Sequence, residues 1–89
     1  MESLIVNWDI PMEFKVNATL DTIGMLCPIP VYLTNKKIKE LRQGDILEVL
    51  SDDEGILSDM PAWCKATGNE VLKFDQSEGQ YRFYIRKLA

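Results

Sequence analysis

The chain has 89 residues, 46% of them hydrophobic, which is enough for one small domain and too little for two. Its net charge of −4 argues against binding nucleic acid through phosphate neutralisation, so no direct nucleic-acid contact is expected. It has two cysteines and no histidine, which excludes a typical zinc site and a cysteine–histidine catalytic pair, and no metal is expected.

The amino-terminal part of the chain is predicted to be an extension followed by a strand. Residues 1–13 contain a short apolar run and Pro11, and four roles stay open for them: an edge strand, a segment packed over the domain, a dimer contact or a partly ordered terminus. Over residues 14–20 apolar and polar side chains alternate, which is typical of a strand buried on one face. We therefore assign residues 14–89 to a single domain.

A cysteine follows this strand and is itself followed by two alternate prolines. Pro28 and Pro30 suit the first turn of a helix, where N–H groups have no acceptor, so a helix is predicted here with Cys27 as its N-cap. Because proline disfavours helical geometry in the preceding residue, the helix could instead begin at Pro30. Either start leaves the sulfur at the positive end of the helix dipole, which predicts a thiol pKa below the ordinary value of about 8.5. Cys27 is thus a candidate reactive thiol, the alternative being a small buried hydrophobe.

The first helix is predicted to end near Arg42, before Gly44. Helical spacing gives one stripe of side chains facing the sheet: Val31, Thr34, Ile38 and Leu41. Tyr32 and Leu33 fall off this stripe, within two turns of Cys27. They are either part of a docking surface for a partner or ordinary scattered surface hydrophobes.

Residues 45–51 predict a second strand, which is apolar on both faces and therefore central. A strand, a helix and a strand with short joints form a right-handed crossover, so the two strands are expected to be parallel. The loop with Cys27 and the acidic loop, residues 52–54, then leave the same edge of the sheet. Nearby carboxylates would raise the thiol pKa unless they point away. We favour turn formation and helix capping as their role, over a metal site.

A second helix and a hairpin complete the predicted fold. Ser58 or Asp59 is predicted to cap the helix, with Pro61 in its first turn and Gly68 just past its end. Cys64 lies on the apolar face of this helix and is predicted to be packed rather than reactive. Residues 71–75 and 81–86 then pair across a turn at residues 77–80. The βαβαββ order predicts an α/β two-layer sandwich, a four-stranded mixed sheet with both helices on one face.

The compartment is expected to be the cytoplasm. The chain has no run of about 18 apolar residues for a membrane span, and no basic, apolar and cleavage regions of a secretory signal at its start. In a reducing compartment a structural disulfide between Cys27 and Cys64 is not expected.

Residues 20–30, which read Leu-Asp-Thr-Ile-Gly-Met-Leu-Cys-Pro-Ile-Pro, resemble the signature of the TusA/SirA-like sulfur-carrier (sulfurtransferase) family. The resemblance continues through similar blocks to residue 87. It implies a carrier without a metal or organic cofactor, in which Cys27 accepts sulfane sulfur as a persulfide and passes it on. It also implies that Pro28 and Pro30 set the helix start and that Gly24 shapes the loop.

The partners implied by the resemblance are proteins on both sides of a relay. Donors in the family are cysteine desulfurases and rhodanese-like proteins, and acceptors include DsrE-like proteins and proteins of tRNA thiolation. A carrier that meets successive partners is expected to be a monomer. Many members have arginine where this chain has Ile23 and lysine where it has Leu33, so the apolar group Ile23, Tyr32 and Leu33 is a candidate docking patch for a different partner.

Two other functions remain open at the level of sequence. The first is a non-catalytic interaction or regulatory module in which Cys27 matters only for packing. The second is an RNA-binding module, which the negative net charge and the lack of a basic stripe with aromatic platforms argue against.

Overall fold

Four strands form one mixed sheet in the computed structural model, which describes residues 15–88. The elements are β1 (Ala18–Asp21), α1 (Ile29–Ile38), β2 (Ile46–Ser51), α2 (Ile56–Thr67), β3 (Glu70–Ser77) and β4 (Gln80–Arg86). This order confirms the predicted βαβαββ arrangement. The extension predicted at residues 1–13 lies outside the described residues.

The strands are arranged β1-β2-β4-β3, so β2 is central, as predicted. β1 and β2 are parallel, with Leu20 beside Val49, whereas β4 is antiparallel to both of its neighbours. The chain passes from β1 to β2 through α1, which crosses over the sheet, instead of turning back in a hairpin. The two strands therefore run parallel. The loops that follow β1 and β2 therefore leave the same edge of the sheet.

β1 begins at Ala18, four residues later than predicted, and Phe14 lies outside the described residues. Asn17 causes this late start of β1. The main-chain N–H of Asn17 donates to the carbonyl of Ile46 at 2.8 Å, while Oδ1 of its side chain accepts from the Ile46 N–H at 2.8 Å. The amide side chain thus takes the place of a main-chain acceptor, and regular pairing starts one residue later.

Both helices cover one face of the sheet and form the core with it. The buried side chains come from α1, the inner faces of β2 and β4, and α2: Ile38, Leu47, Val49, Tyr81, Phe83, Ile85, Ile56, Met60 and Cys64. Each fully buried aliphatic side chain of this kind contributes about 2 kcal/mol relative to exposure. Thr34 is the polar member of the buried stripe on α1, and its hydroxyl donates to the carbonyl of Pro30 at 2.8 Å.

The other face of the sheet has a polar cluster around Glu48. Its Oε1 accepts from the Thr19 hydroxyl at 2.9 Å, and its Oε2 accepts from the Tyr84 hydroxyl at 3.0 Å. Nε of Arg82 lies 3.2 Å from the same Oε2. Farther along β4, Arg86 pairs with Glu70 at 2.7 Å. Charged side chains therefore occupy the face that the helices leave open.

α1 begins at Ile29 with Pro28 as its N-cap, so the prediction of Cys27 as N-cap is wrong. The residue precedes the helix in a tight turn, in which the Ile29 N–H donates to the carbonyl of Leu26 at 3.0 Å. The helix also ends earlier than predicted, at Ile38 rather than near residue 42. Bonds between residues three apart, such as Leu41 N–H to the Ile38 carbonyl at 3.2 Å, tighten the chain there into turns.

α2 begins at Ile56 with Gly55 as its N-cap, so the predicted caps Ser58 and Asp59 are wrong. Pro61 lies inside the helix rather than in its first turn. It lacks the N–H that would donate to the carbonyl of Leu57, and both residues are on the exposed side, where water reaches the helix. The predicted end is confirmed, because Gly68 is the C-cap with a φ of 81°, which favours glycine.

β3 and β4 form the predicted hairpin. Ser77 pairs with Gln80, and the two residues between them, Glu78 and Gly79, have φ values of 51° and 78°. Two positive φ values in a two-residue turn match the right-handed twist of the flanking strands.

Candidate functional site

Two loops meet at the edge of the sheet where β1 and β2 end. The first, residues 22–28, is called the cysteine loop, and the second is the acidic loop, residues 52–54. The main-chain N–H of Cys27 donates to Oδ2 of Asp53 at 2.5 Å, and the N–H of Gly24 donates to Oδ1 of Asp52 at 2.9 Å. The parallel pairing places the two loops at the same edge of the sheet, as the sequence predicted, and these hydrogen bonds bring them into contact.

The cysteine loop is also fastened at its start. Thr22 is buried, and its N–H donates to the carbonyl of Leu50 in β2 at 2.8 Å. Its hydroxyl donates to the same carbonyl. Gly24 follows with a φ of 88°, a conformation that side chains with a Cβ rarely adopt. The loop is therefore held at both ends by atoms of β2 or of the acidic loop.

Asp53 has a second role at the start of α2. Its Oδ1 accepts from the N–H of Gly55 at 3.2 Å, and its own N–H donates to the hydroxyl of buried Ser51 at 3.2 Å. The N–H groups of Cys27 and Gly55 lower the pKa of the Asp53 carboxyl. The expected turn-forming role is confirmed, and the ionised carboxylate also lies beside the cysteine.

Gly55 allows the close approach of the two loops. A Cβ at this position would lie 3.2 Å from Cβ of Cys27 and 3.5 Å from its Sγ. This role of Gly55 was not predicted from the sequence. The signal available in the sequence was a glycine directly after three acidic residues, which indicates a turn but not its distant neighbour.

The thiol of Cys27 is partly buried, and its pKa is raised to about 11. Burial is the largest cause, followed by the negative charges of Asp53 and Asp59. The predicted lowering of this pKa is therefore wrong. The helix starts two residues after the cysteine, and the sulfur faces carboxylates that oppose the dipole.

Exposed apolar side chains flank the cysteine along the chain. Leu26 is 73% exposed, Ile29 is 47% exposed and Tyr32 is 58% exposed. Lys36 Nζ lies 5.8 Å from the centre of the Tyr32 ring. Of the three residues expected to form a docking patch, Tyr32 is exposed, whereas Ile23 and Leu33 are half-buried. The more exposed pair Leu26 and Ile29 was missed.

The other candidate residues lie on the two helices, with Pro28 and Pro30 at the start of α1 and Cys64 in α2. Pro28 caps α1, and Pro30 is buried in its first turn. Cys64 is 2% exposed in the core, which confirms the prediction that it is packed. Burial raises its pKa to about 11. Both cysteines are free thiols.

Residues 15–88 contain neither a metal-binding cluster nor a membrane-spanning helix. No group of three or more Cys, Asp or Glu side chains is arranged to hold a metal ion. Neither α1 nor α2 is long and apolar enough to cross a membrane.

Comparison with known proteins identifies the family. The family model described as sulfurtransferase TusA matches residues 18–87. A protein of Aquifex aeolicus named putative sulfur carrier protein is 37% identical over 75 residues, which are 84% of this chain and 38% of that protein. The sulfur carrier protein TusA of Pseudomonas aeruginosa strain LESB58 is 35% identical over 78 residues, which are 88% of this chain and 99% of that protein.

The fold has a solved counterpart. The crystal structure of a SirA-like protein from Desulfitobacterium hafniense matches with a TM-score of 0.71 and 24% identity, covering 81% of this chain and 99% of that one. The chain spans about two-fifths of the length of the Aquifex aeolicus relative and nearly all of the Pseudomonas aeruginosa one. The family match, which covers both helices and all four strands, establishes that the chain belongs to the TusA sulfurtransferase family.

Proposed function

We propose that this protein is a sulfur carrier, which accepts sulfane sulfur as a persulfide on Cys27 and passes it to an acceptor protein. The observation that supports this most directly is the position of the cysteine. In a chain of the TusA family, its thiol is partly exposed on a loop that β2 and Asp53 hold in place. Cys64, by contrast, is enclosed in the core and is out of reach of a partner protein.

The chemistry proposed for Cys27 is thiol–persulfide exchange. Its thiolate attacks the outer sulfur of a persulfide on the donor, the donor's sulfur–sulfur bond breaks, and the donor thiolate leaves with the electron pair. In the second step the acceptor's thiolate attacks the outer sulfur held on Cys27, whose thiolate then leaves. Because burial and the nearby carboxylates raise the pKa of the thiol, the first step includes loss of the thiol proton, which the departing donor thiolate balances.

The partners proposed are proteins at both steps. The donor is a cysteine desulfurase or a rhodanese-like protein, and the acceptor is a DsrE-like protein or a protein of a tRNA-thiolation relay. We further propose that the carrier works in the cytoplasm as a monomer, because Cys27 must meet donor and acceptor in turn. No metal or organic cofactor takes part in either step.

The test is intact mass spectrometry after incubation with a cysteine desulfurase and cysteine, or with rhodanese and thiosulfate. The wild type and Cys64→Ser are expected to gain one sulfur atom that a reductant removes. Cys27→Ser is expected to gain none. Gain by Cys27→Ser, or no gain by the wild type with either donor, contradicts the proposal.

A second candidate is a non-catalytic interaction module. It is favoured by the raised pKa of Cys27, which leaves the thiol protonated at neutral pH. Absence of a persulfide with both donors, in a protein that is folded by circular dichroism, supports this alternative.

A further inference from the structure

The exposed apolar side chains of the described residues are concentrated around one point. Seven large hydrophobic residues between positions 15 and 88 are exposed, and four of them fall within residues 25–32, around Cys27. Scattered surface hydrophobes need no explanation, but a group of this kind beside a candidate reactive thiol is typical of a protein contact. Leu26 and Ile29, which lie on either side of the cysteine, are the nearest members of the group along the chain.

The charge beside the same thiol is negative. Oδ2 of Asp53 in the acidic loop accepts from the Cys27 N–H at 2.5 Å, which places this carboxylate beside the cysteine. The negative charges that raise the pKa of the thiol are those of Asp53 and of Asp59, on the exposed side of α2. Asp53 is held ionised by two N–H donors, so this charge persists at neutral pH. Cys27 therefore has exposed apolar residues next to it along the chain and carboxylates next to it across the loops.

We propose that the protein partner docking on Cys27 presents an apolar surface with a lysine or arginine beside it. The apolar part packs on Leu26 and Ile29, and the basic side chain faces Asp53 and Asp59. This inference rests on the proposed function, because it describes the sulfur donor or acceptor that must reach the same cysteine.

Charge complementarity selects this occupant over others. A basic side chain offsets the two carboxylates and stabilises the thiolate, and exclusion of water by the apolar contact strengthens both effects. An acidic partner would add a further like charge at the same point. A second copy of this chain would bring its own acidic loop against this one, so the face does not suit a symmetric dimer.

The probes for this surface are three peptides of equal length, each with one cysteine activated as a nitropyridyl disulfide. Their central sequences are Leu-Arg-Cys-Leu, Leu-Glu-Cys-Leu and Gly-Arg-Cys-Gly. The Cys27 thiolate attacks the peptide sulfur, and the nitropyridine thiolate leaves and is read by its absorbance. Rates are measured at neutral pH and low salt, and are divided by the rates with N-acetylcysteinamide to remove the intrinsic reactivity of each peptide.

The wild type is expected to react about tenfold faster with the apolar basic peptide than with the apolar acidic one. It is expected to react about threefold faster with that peptide than with the glycine peptide. Equal corrected rates for the basic and acidic peptides would overturn the proposal.

Matched variants assign the preference to residues. Asp59→Asn is expected to reduce the tenfold preference to about threefold, because one of the two charges is lost. Glu40→Gln removes an exposed carboxylate just beyond the end of α1 and is expected to leave the preference unchanged. Leu26→Ser is expected to reduce the threefold preference for leucine over glycine, because only Ile29 remains to contact the leucines. An equal loss in Asp59→Asn and Glu40→Gln would show a general charge effect and overturn the assignment.

Loading with sodium tetrasulfide separates this proposal from the carrier function. Tetrasulfide is a small sulfane donor that does not need a docking surface. A persulfide on Cys27 from tetrasulfide, together with equal peptide rates, overturns the docking surface and leaves the carrier function standing. No persulfide from tetrasulfide or from a protein donor, together with the peptide preference intact, overturns the carrier function and supports the docking surface.

Discussion

The main-chain N–H of Cys27 donates to Oδ2 of Asp53, a residue 26 positions later in the chain. This bond holds the backbone of Cys27 at the edge of the sheet, and it places the Asp53 carboxylate beside the thiol. The Asp53 side chain therefore affects both the backbone position of Cys27 and the pKa of its thiol.

Asp53→Asn is expected to separate these two effects. The amide oxygen can still accept from the Cys27 N–H, but the negative charge is lost, so the thiol pKa falls below about 11. Alkylation by iodoacetamide at pH 8 is expected to become about three- to tenfold faster. The measurement is the pH profile of alkylation at Cys27. Asp52→Asn is the matched control, since Asp52 bonds Gly24 and is not among the groups that shift this pKa, and equal profiles for both variants would contradict the expectation.

Gly55→Ala is expected to destabilise the protein by about 1–2 kcal/mol, because the added Cβ lies 3.2 Å from Cβ of Cys27. The backbone does not require glycine here, since its φ is −57°. Without the contact, the substitution would stabilise the fold by about 0.4–1 kcal/mol through the unfolded chain. The sign of the change in urea unfolding thus decides whether the two loops are in contact.

The buried thiol of Cys64 is expected to make the fold less stable at high pH. Its folded pKa is about 11, above the ordinary value near 8.5, so the unfolded chain loses this proton first as the pH rises. The contribution of Cys64 to the free energy of unfolding is fully present below about pH 8.5 and is lost as the pH rises toward 11. Urea unfolding is measured at pH 7, 9 and 10.5. The free energy of unfolding is expected to fall less over this range for Cys64→Ala than for the wild type. The same slope in both proteins would contradict this.

Glu48→Gln is expected to weaken the open face of the sheet by about 1 kcal/mol. The substitution keeps an acceptor for only one of the two hydroxyls, Thr19 or Tyr84, because an amide has a single oxygen, and it removes the charge that pairs with Arg82 at 3.2 Å. Urea unfolding at pH 7 measures the change. Glu40→Gln breaks an exposed ion pair with Lys37 and serves as the control, with an expected change close to zero. An equal change in both variants would mean that the Glu48 cluster adds nothing beyond a surface pair.

The elements that the sequence predicted correctly depend on local signals. Alternation and helical spacing identified the strands and the buried face that includes Cys64, and short joints implied that β1 and β2 are parallel. The errors fall at the two helix starts. α1 begins after a tight turn in which the Ile29 N–H donates to the Leu26 carbonyl, next to the long-range bond from Cys27 to Asp53. α2 begins before Ser58 because Asp53 accepts from the Gly55 N–H and turns the chain there.

The sign of the Cys27 pKa shift could not be obtained from the sequence for the same reason. The helix dipole is a local property that the two prolines predict. The carboxylates of Asp53 and Asp59, by contrast, come close to the thiol only when the chain is folded. Whether they face the sulfur or water depends on the packing of two loops, and the sequence alone left both orientations open.

The anchoring of Thr22 to the Leu50 carbonyl has a mechanical consequence. In the carrier proposed above, the loop is tied to the central strand, so a persulfide on Cys27 would project only one sulfur–sulfur bond, about 2 Å, beyond the thiol. The recipient expected for such a carrier has its reacting group in a shallow, wide opening that admits the whole end of the domain.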